Sequence, residues 1–303
     1  MTTDPERGAG GSAGALAFLD RLERDLATDV STDPPALRAA LLVRLRAAQA
    51  ADAANGLVHQ LAGRALEVAD AALGRGESPA GLRAQLAASC AAERLDLSGA
   101  RAAVARTAAG LLGGRGGWIA TVADSRTVRE AVLGAHATGR GSRLLVGEGR
   151  PGLSGRDLAA AAGDAGIPTW LVVDAALPLL LSQAAMLWLG AGAVTDRGAI
   201  VPVGGYAAAL AAREHSVPVY VLAVRRKFLP ALTGALRIDE MPPEEVWDAP
   251  PPGVRARNVR AEVLPLELLR GLVVEDEVLG ASEAATVARE RPLPDELARP
   301  PAR

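Results

Sequence analysis

Two hydrophobic rhythms divide the chain. Up to residue 113 the apolar positions recur at helical spacing: Leu37, Leu41, Leu42 and Leu45 form one stripe, and Leu57, Leu61, Leu66 and Val68 suggest a second. Such stripes belong to helices that bury one face. The pattern predicts five helices at roughly 13–27, 35–53, 56–74, 79–92 and 97–112. Thr32-Asp33-Pro34-Pro35 supplies a helix start with proline in the first turn. Beyond Gly113-Gly-Arg-Gly-Gly117 the rhythm changes, and short Val/Leu/Ile runs alternate with Ala-rich amphipathic segments. That alternation predicts strands near 118–122, 143–147, 169–173, 186–190 and 217–223, with a short pair around Asp196-Arg197-Gly198 and helices at about 125–138, 155–165, 175–184 and 205–214.

Strand–helix–strand units at this spacing require right-handed crossovers and a doubly wound, mostly parallel sheet. The expected fold is therefore α/β: a helical region at about 13–115 followed by a Rossmann-like region at about 116–303. Residues 1–12, rich in Gly, Ser and Asp, are expected to be disordered. After Lys227 the chain turns Pro-rich and then apolar again over Val259–Leu279, which reads as an extension laid over a partner surface.

Ligands of such sheets collect at the carboxyl ends of the strands. Ser125, Arg126, Arg150 and Lys227 each follow a predicted strand, and cations gathered on that edge suit a phosphate group. Asp124, Asp174 and Asp196 also fall at or just beyond strand ends, where an aspartate serves as base, ribose acceptor or helix cap. Gly147-Glu-Gly149-Arg-Pro-Gly152, with Asp174 further on, matches the spacing of a dinucleotide loop. It follows the second strand instead of the first, and Arg150-Pro151 crowds the loop, so a Gly-rich strand-to-helix turn is the favoured reading. His59, His136 and His215 form no catalytic constellation with a serine or cysteine.

Half of the 303 residues are hydrophobic, enough for a large core. The net charge of −2 gives no basic field for nucleic acid. No apolar run reaches the ~20 residues of a membrane span. Met1-Thr-Thr-Asp-Pro-Glu-Arg7 lacks the order of a signal peptide, so the expected location is the cytoplasm. One cysteine, Cys90, excludes an internal disulfide and a cysteine-based zinc site, and no metal or cofactor is expected. Lys227 is the only lysine among 33 basic residues.

Several segments together resemble a known superfamily. They are Asp124-Ser-Arg-Thr-Val128, Glu148-Gly-Arg-Pro-Gly152 with Gly155-Arg-Asp-Leu158, Gly166-Ile-Pro168, Val173-Asp174, Gly190-Ala-Gly-Ala193, Val203-Gly-Gly-Tyr206, Pro218-Val-Tyr-Val221, Lys227-Phe228, Pro243-Glu-Glu-Val-Trp247 and Arg257-Asn258 through Val274. Gly63-Arg64-Ala65-Leu66 is a fainter echo. In order and spacing they resemble the α/β/δ subunits of translation initiation factor 2B, with the ribose-1,5-bisphosphate and methylthioribose-1-phosphate isomerases.

The resemblance implies a helical N-terminal part on a Rossmann-like C-terminal part that pairs with a second copy, and a sugar-phosphate site at the sheet edge. It also implies a cysteine and an aspartate that move protons in the isomerases. Here Ala123 and Gly192 stand at those two positions, and Val201-Pro202 replaces the family's Asn-Lys. Neither alanine nor glycine titrates, so acid–base work there is lost. The expectation is a homodimer or higher oligomer that binds a phosphorylated metabolite, sugar phosphate or nucleotide, through Ser125, Arg126, Arg150 and Lys227. The competing reading is a diverged aldose–ketose isomerase that uses Asp124 and Asp196.

Overall fold

The computed structural model describes residues 11–113, 117–140, 143–231 and 233–299. Four helices come first: α1 (Gly11–Thr28), α2 (Pro34–Ala51), α3 (Gly56–Gly74) and α4 (Pro79–Gly110). Asp33 caps α2 by accepting the Ala36 N–H at 2.9 Å, and Ser78 caps α4 by accepting that of Gly81 at 3.1 Å. Residues 1–10 of the segment expected to be disordered, and most of the Gly113–Gly117 linker, lie outside the described residues. Gly11 and Ser12 do not fit that expectation, because they form the start of α1 with Ser12 buried.

Where two helices were expected over 79–112, α4 is continuous. No glycine or proline interrupts Ala91–Ser98, and one buried face runs through the expected gap as Leu86, Cys90, Glu93, Leu97, Arg101 and Val104. The pattern is helical throughout; the charged Glu93-Arg94 and Asp96 only disguised it. Glu93 is tolerated on that face because its carboxylate pairs with Arg226.

The second half contains β1 (Trp118–Thr121), α5 (Arg126–Ala137), β2 (Arg143–Gly147), α6 (Ser154–Asp164), β3 (Thr169–Val172), α7 (Leu177–Leu180), β4 (Ala184–Gly190), β5 (Ala193–Thr195), β6 (Gly198–Pro202), α8 (Gly205–Glu214) and β7 (Val219–Leu222). It closes with β8 (Ala261–Leu264), β9 (Gly271–Val273), β10 (Val278–Leu279), α9 (Ala281–Arg289) and α10 (Asp295–Ala298). The helix expected at 175–184 is broken into one α turn between two 3-10 turns, although Leu177 and Leu181 still enter the core.

The main sheet has seven strands in the order β10-β9-β7-β4-β1-β2-β3, all parallel except β10. Chain direction across the sheet therefore reverses between β1 and β4, the switch point of a doubly wound fold. The short pair β5–β6 does not join this sheet. It makes a separate antiparallel sheet with β8, in the order β5-β6-β8.

One buried cluster runs from α1–α4 into one face of the sheet, taking in Leu37, Leu66, Val128, Leu144 and Trp188. The other face is covered by α8, α9 and the chain after β8. The expected partner-covering extension is corrected in part. Leu264, Leu266, Leu272, Val273 and Val274 are buried inside this chain, because β9 extends its own parallel sheet beside β7. The C-terminus returns to the first helices: Arg46 donates to the Glu296 carbonyl at 3.1 Å and Gln49 to that of Leu297 at 3.3 Å. Among the described residues no helix is long and apolar enough to cross a membrane.

Candidate functional site at the switch point

At the switch point the chain leaving β1 meets the chain leaving β4. Ser125 takes the N-cap position of α5, but its hydroxyl makes no capping bond. It packs instead on Gly190 at the end of β4, so closely that a β-carbon on Gly190 would lie 2.1 Å from Ser125 Oγ. Arg126, the first residue of α5, is exposed, as is Arg150 in the loop after β2. Lys227 sits in the 3-10 turn after β7 and is only 3% exposed. Its Nζ donates to the Ala191 carbonyl at 2.6 Å. Burial, and secondarily the Arg101 guanidinium, push its ammonium down to about 8. Ser125 and Lys227 thus border the Gly190–Gly192 segment, whereas Arg126 at the start of α5 and Arg150 in its loop stand exposed.

The turn that carries Lys227 is clamped on both sides. Arg226 pairs with Glu93 and, at 3.3 Å, with Asp96 of α4. Arg225 bonds Asp276 at 3.0 Å and also reaches Glu277, while its backbone N–H donates to Glu275 at 3.0 Å. Neither contact is legible as a motif, because each joins residues fifty or more positions apart.

The two candidate acid–base carboxylates are engaged locally. Asp124 receives Arg129 Nε at 3.1 Å, and Asp196, in the β5–β6 turn, accepts the Ala231 N–H at 2.7 Å. They follow strands of different sheets. Cys90, the only cysteine, lies buried in α4 among the first helices, and burial raises its thiol to about 11.

Asp174 explains the glycine loop. Its carboxylate accepts the N–H groups of Gly149 and Arg150 at 2.8 and 2.7 Å, the donors that a dinucleotide loop would offer a pyrophosphate. A β-carbon on Gly147 would sit 2.7 Å from that carboxylate, and one on Gly155 1.8 Å from the Gly147 carbonyl. The glycines serve a tight strand-to-helix turn.

The first helices press directly on Gly192. Gly56 N–H donates to the Gly192 carbonyl at 3.0 Å. A β-carbon on Gly192 would lie 2.9 Å from the Ala54 carbonyl oxygen, and one on Gly56 2.6 Å from that of Lys227. Asn55 caps α3 through Oδ1 and donates from Nδ2 to the Gly11 carbonyl at 2.8 Å. Asn55-Gly56 escaped the sequence reading. The signal was present as an Asn-Gly step between two helical stripes, but it reads only as a turn.

A doubly wound sheet whose strand order reverses between β1 and β4, overlaid by helices from the chain's own first third, defines a class of α/β folds. Within that class the model of the initiation factor 2 subunit family (IF-2B) matches residues 82–276. The chain belongs to this family. It is 29% identical over 181 residues to ribose 1,5-bisphosphate isomerase of Archaeoglobus fulgidus, covering 57% of this chain and 57% of that protein. It is 31% identical over 173 residues to methylthioribose-1-phosphate isomerase of a Synechococcus species, covering 54% and 52%. The match thus spans about half the length of these relatives. The solved translation initiation factor eIF-2B of Pyrococcus horikoshii OT3 shares the fold, with a TM-score of 0.76 and 23% identity over 90% of this chain and 93% of that one.

Proposed function

We propose that this chain is a family member that binds a phosphorylated small molecule, a sugar phosphate or a nucleotide, at the switch point and does not isomerise it. The observation that carries this reading is the packing at Gly192. The position that resembles the isomerases' aspartate is Gly192, where the Ala54 carbonyl leaves no room for a side chain. The position resembling their cysteine is Ala123, whose side chain abuts the loop at Gly149. Groups suited to a phosphate remain at the surrounding strand ends: the uncommitted Ser125 hydroxyl, the exposed Arg126 and Arg150, and the Lys227 ammonium.

The second reading, a diverged aldose–ketose isomerase, draws on the names of the two relatives and needs Asp124 or Asp196 as the proton carrier. One experiment separates the two. The purified chain is screened for thermal stabilisation by sugar phosphates and nucleoside monophosphates, then assayed for turnover of ribose 1,5-bisphosphate and methylthioribose 1-phosphate. Binding at a hundredfold excess over Kd adds about 2.7 kcal/mol. Stabilisation without turnover supports the binder; turnover that Asp124→Asn or Asp196→Asn abolishes supports the isomerase.

The same reading includes a homodimer formed through the second half of the chain. Val203, Tyr206 and Val263 are exposed around β6 and β8, and Trp247 is exposed nearby in the chain that approaches β8. Exposed apolar side chains grouped there support this reading.

A further inference from the structure

Lys227 is buried by a contact within the chain that has the form of a latch. The first described turn of α1 lies over it: a β-carbon on Gly11 would be 3.5 Å from Lys227 Nζ, 3.6 Å from Gly192 Cα and 3.4 Å from Asn55 Oδ1. One hydrogen bond and one steric fit hold that turn, and a second bond fixes the asparagine that makes the first. Asn55 Nδ2 donates to the Gly11 carbonyl at 2.8 Å and to Asp52 Oδ2 at 2.7 Å. Gly14 packs on the same aspartate, so that a β-carbon there would fall 2.3 Å from Asp52 Oδ2.

The two ends of α1 differ in how firmly they are fixed. Phe18, Leu19, Leu22 and Leu26 bury the later turns in the apolar core. The first turn has only small residues, Gly11, Ser12, Ala13 and Gly14, with Ala15 the first buried apolar side chain. A segment with so little apolar anchorage opens at low free energy while the rest of its helix stays docked. What it covers is a buried cation whose neighbour Arg101 is a second one, an arrangement that an entering anion stabilises and that the latch only shields.

We infer that the Gly11–Gly14 turn of α1 is an autoinhibitory latch, which must leave the Asp52–Asn55 turn before a phosphorylated ligand reaches Lys227. The inference deepens the proposed function and rests on the switch point being the ligand site. It also has a readout that needs no ligand, because Lys227 is the only lysine in the chain. Acetylation by acetic anhydride, followed at residue 227 by mass spectrometry, reports how often the latch opens.

Three forms of the full chain are compared. Gly14→Ala places a methyl group against Asp52 and weakens the latch. Gly14→Cys with Asp52→Cys ties α1 to the turn when oxidised and frees it when reduced. In the wild type, Lys227 acetylates far more slowly than a free lysine. Gly14→Ala raises the rate by about tenfold or more, and oxidation of the double-cysteine form suppresses it until a reductant is added. Equal acetylation rates in the oxidised and reduced double-cysteine form overturn the latch, whatever binds. If the rates respond as expected but neither inorganic phosphate nor ribose 1,5-bisphosphate protects Lys227 in Gly14→Ala, the latch stands and the proposed ligand class fails.

Discussion

The carbonyl oxygen of Ala54 lies 2.9 Å from the point where a β-carbon on Gly192 would stand, so a helix-connecting turn occupies the space that an aspartate would need. Restoring the missing pair, Ala123→Cys with Gly192→Asp, is therefore expected to yield no isomerase. The Gly192→Asp change alone forces atoms into a packed contact, costing about 1–3 kcal/mol from overpacking. Urea unfolding of the single variants measures the cost. Isomerase turnover by the double variant, with unfolding like the wild type's, would refute this account of the packing at Gly192.

Lys227 holds a charge where burial opposes it. Its ammonium titrates at about 8, against 10.5 for an ordinary lysine. Between those values the unfolded chain binds more protons than the folded one, so stability is expected to rise with pH across that window. The displacement corresponds to roughly 3 kcal/mol at neutral pH. Lys227→Met removes this burden at the loss of one hydrogen bond to Ala191, worth about 1.5–3 kcal/mol. The variant should unfold at pH 7 with stability equal to or slightly above the wild type, lose the rise between pH 8 and 10.5, and lose phosphate-ester binding. A fall of several kcal/mol would instead mark Lys227 as a structural residue.

His59 provides an acid-side counterpart. It is fully buried, with Nδ1 2.9 Å from Gln49 Nε2 and Nε2 3.0 Å from the Ala53 carbonyl. That arrangement suits a neutral ring that accepts at Nδ1 and donates at Nε2. Burial lowers its pKa below the usual 6.5. Its contribution to stability is full above pH 6.5 and is lost as pH falls through the lower folded value. Chemical unfolding at pH 7.5 and 5.5 should show an acid-side drop, and His59→Gln should make that drop smaller.

Asp174 holds the loop after β2 by two charge-assisted bonds to backbone N–H groups. Asp174→Ala is expected to cost about 1.5–3 kcal/mol. The freed N–H groups would then admit an anion, so inorganic phosphate should stabilise the variant more than the wild type in a thermal shift. Identical shifts would show that the loop collapses once the carboxylate is removed.

For the proposed homodimer, Val263→Glu is the telling substitution. Val263 is 49% exposed on β8, so the monomer fold should tolerate a charge there while an apolar interface would not. Light scattering at micromolar concentration should report a halved mass with an unchanged melting profile. A wild type that is already monomeric removes this part of the proposal.

Much of the sheet was legible because each parallel strand is a short apolar run ended by a turn residue, and Ser125, Arg126, Arg150 and Lys227 could be placed after strand ends from spacing alone. Lys227 stood out by its rarity, yet nothing local announced that Gly11, Asn55 and Gly56 would bury it. Those contacts join segments that lie far apart in the chain, and small residues at a close approach leave no periodic trace. The continuous α4 was misread for the opposite reason. Glu93 looks like a solvent residue until Arg226, 133 positions later, turns it into part of a buried face.

Gln49 in α2 and Leu297 in α10, bonded at 3.3 Å, place the second helix and the last one side by side. The C-terminal strand-and-helix segment therefore acts as a strap that crosses the sheet and buckles onto the first helices. A protease cut in the glycine-rich linker near residue 115 would leave two fragments still fastened by that buckle and by their common core. They should co-elute on a sizing column and melt together in one transition, which makes the helical third part of the sheet's own folding unit.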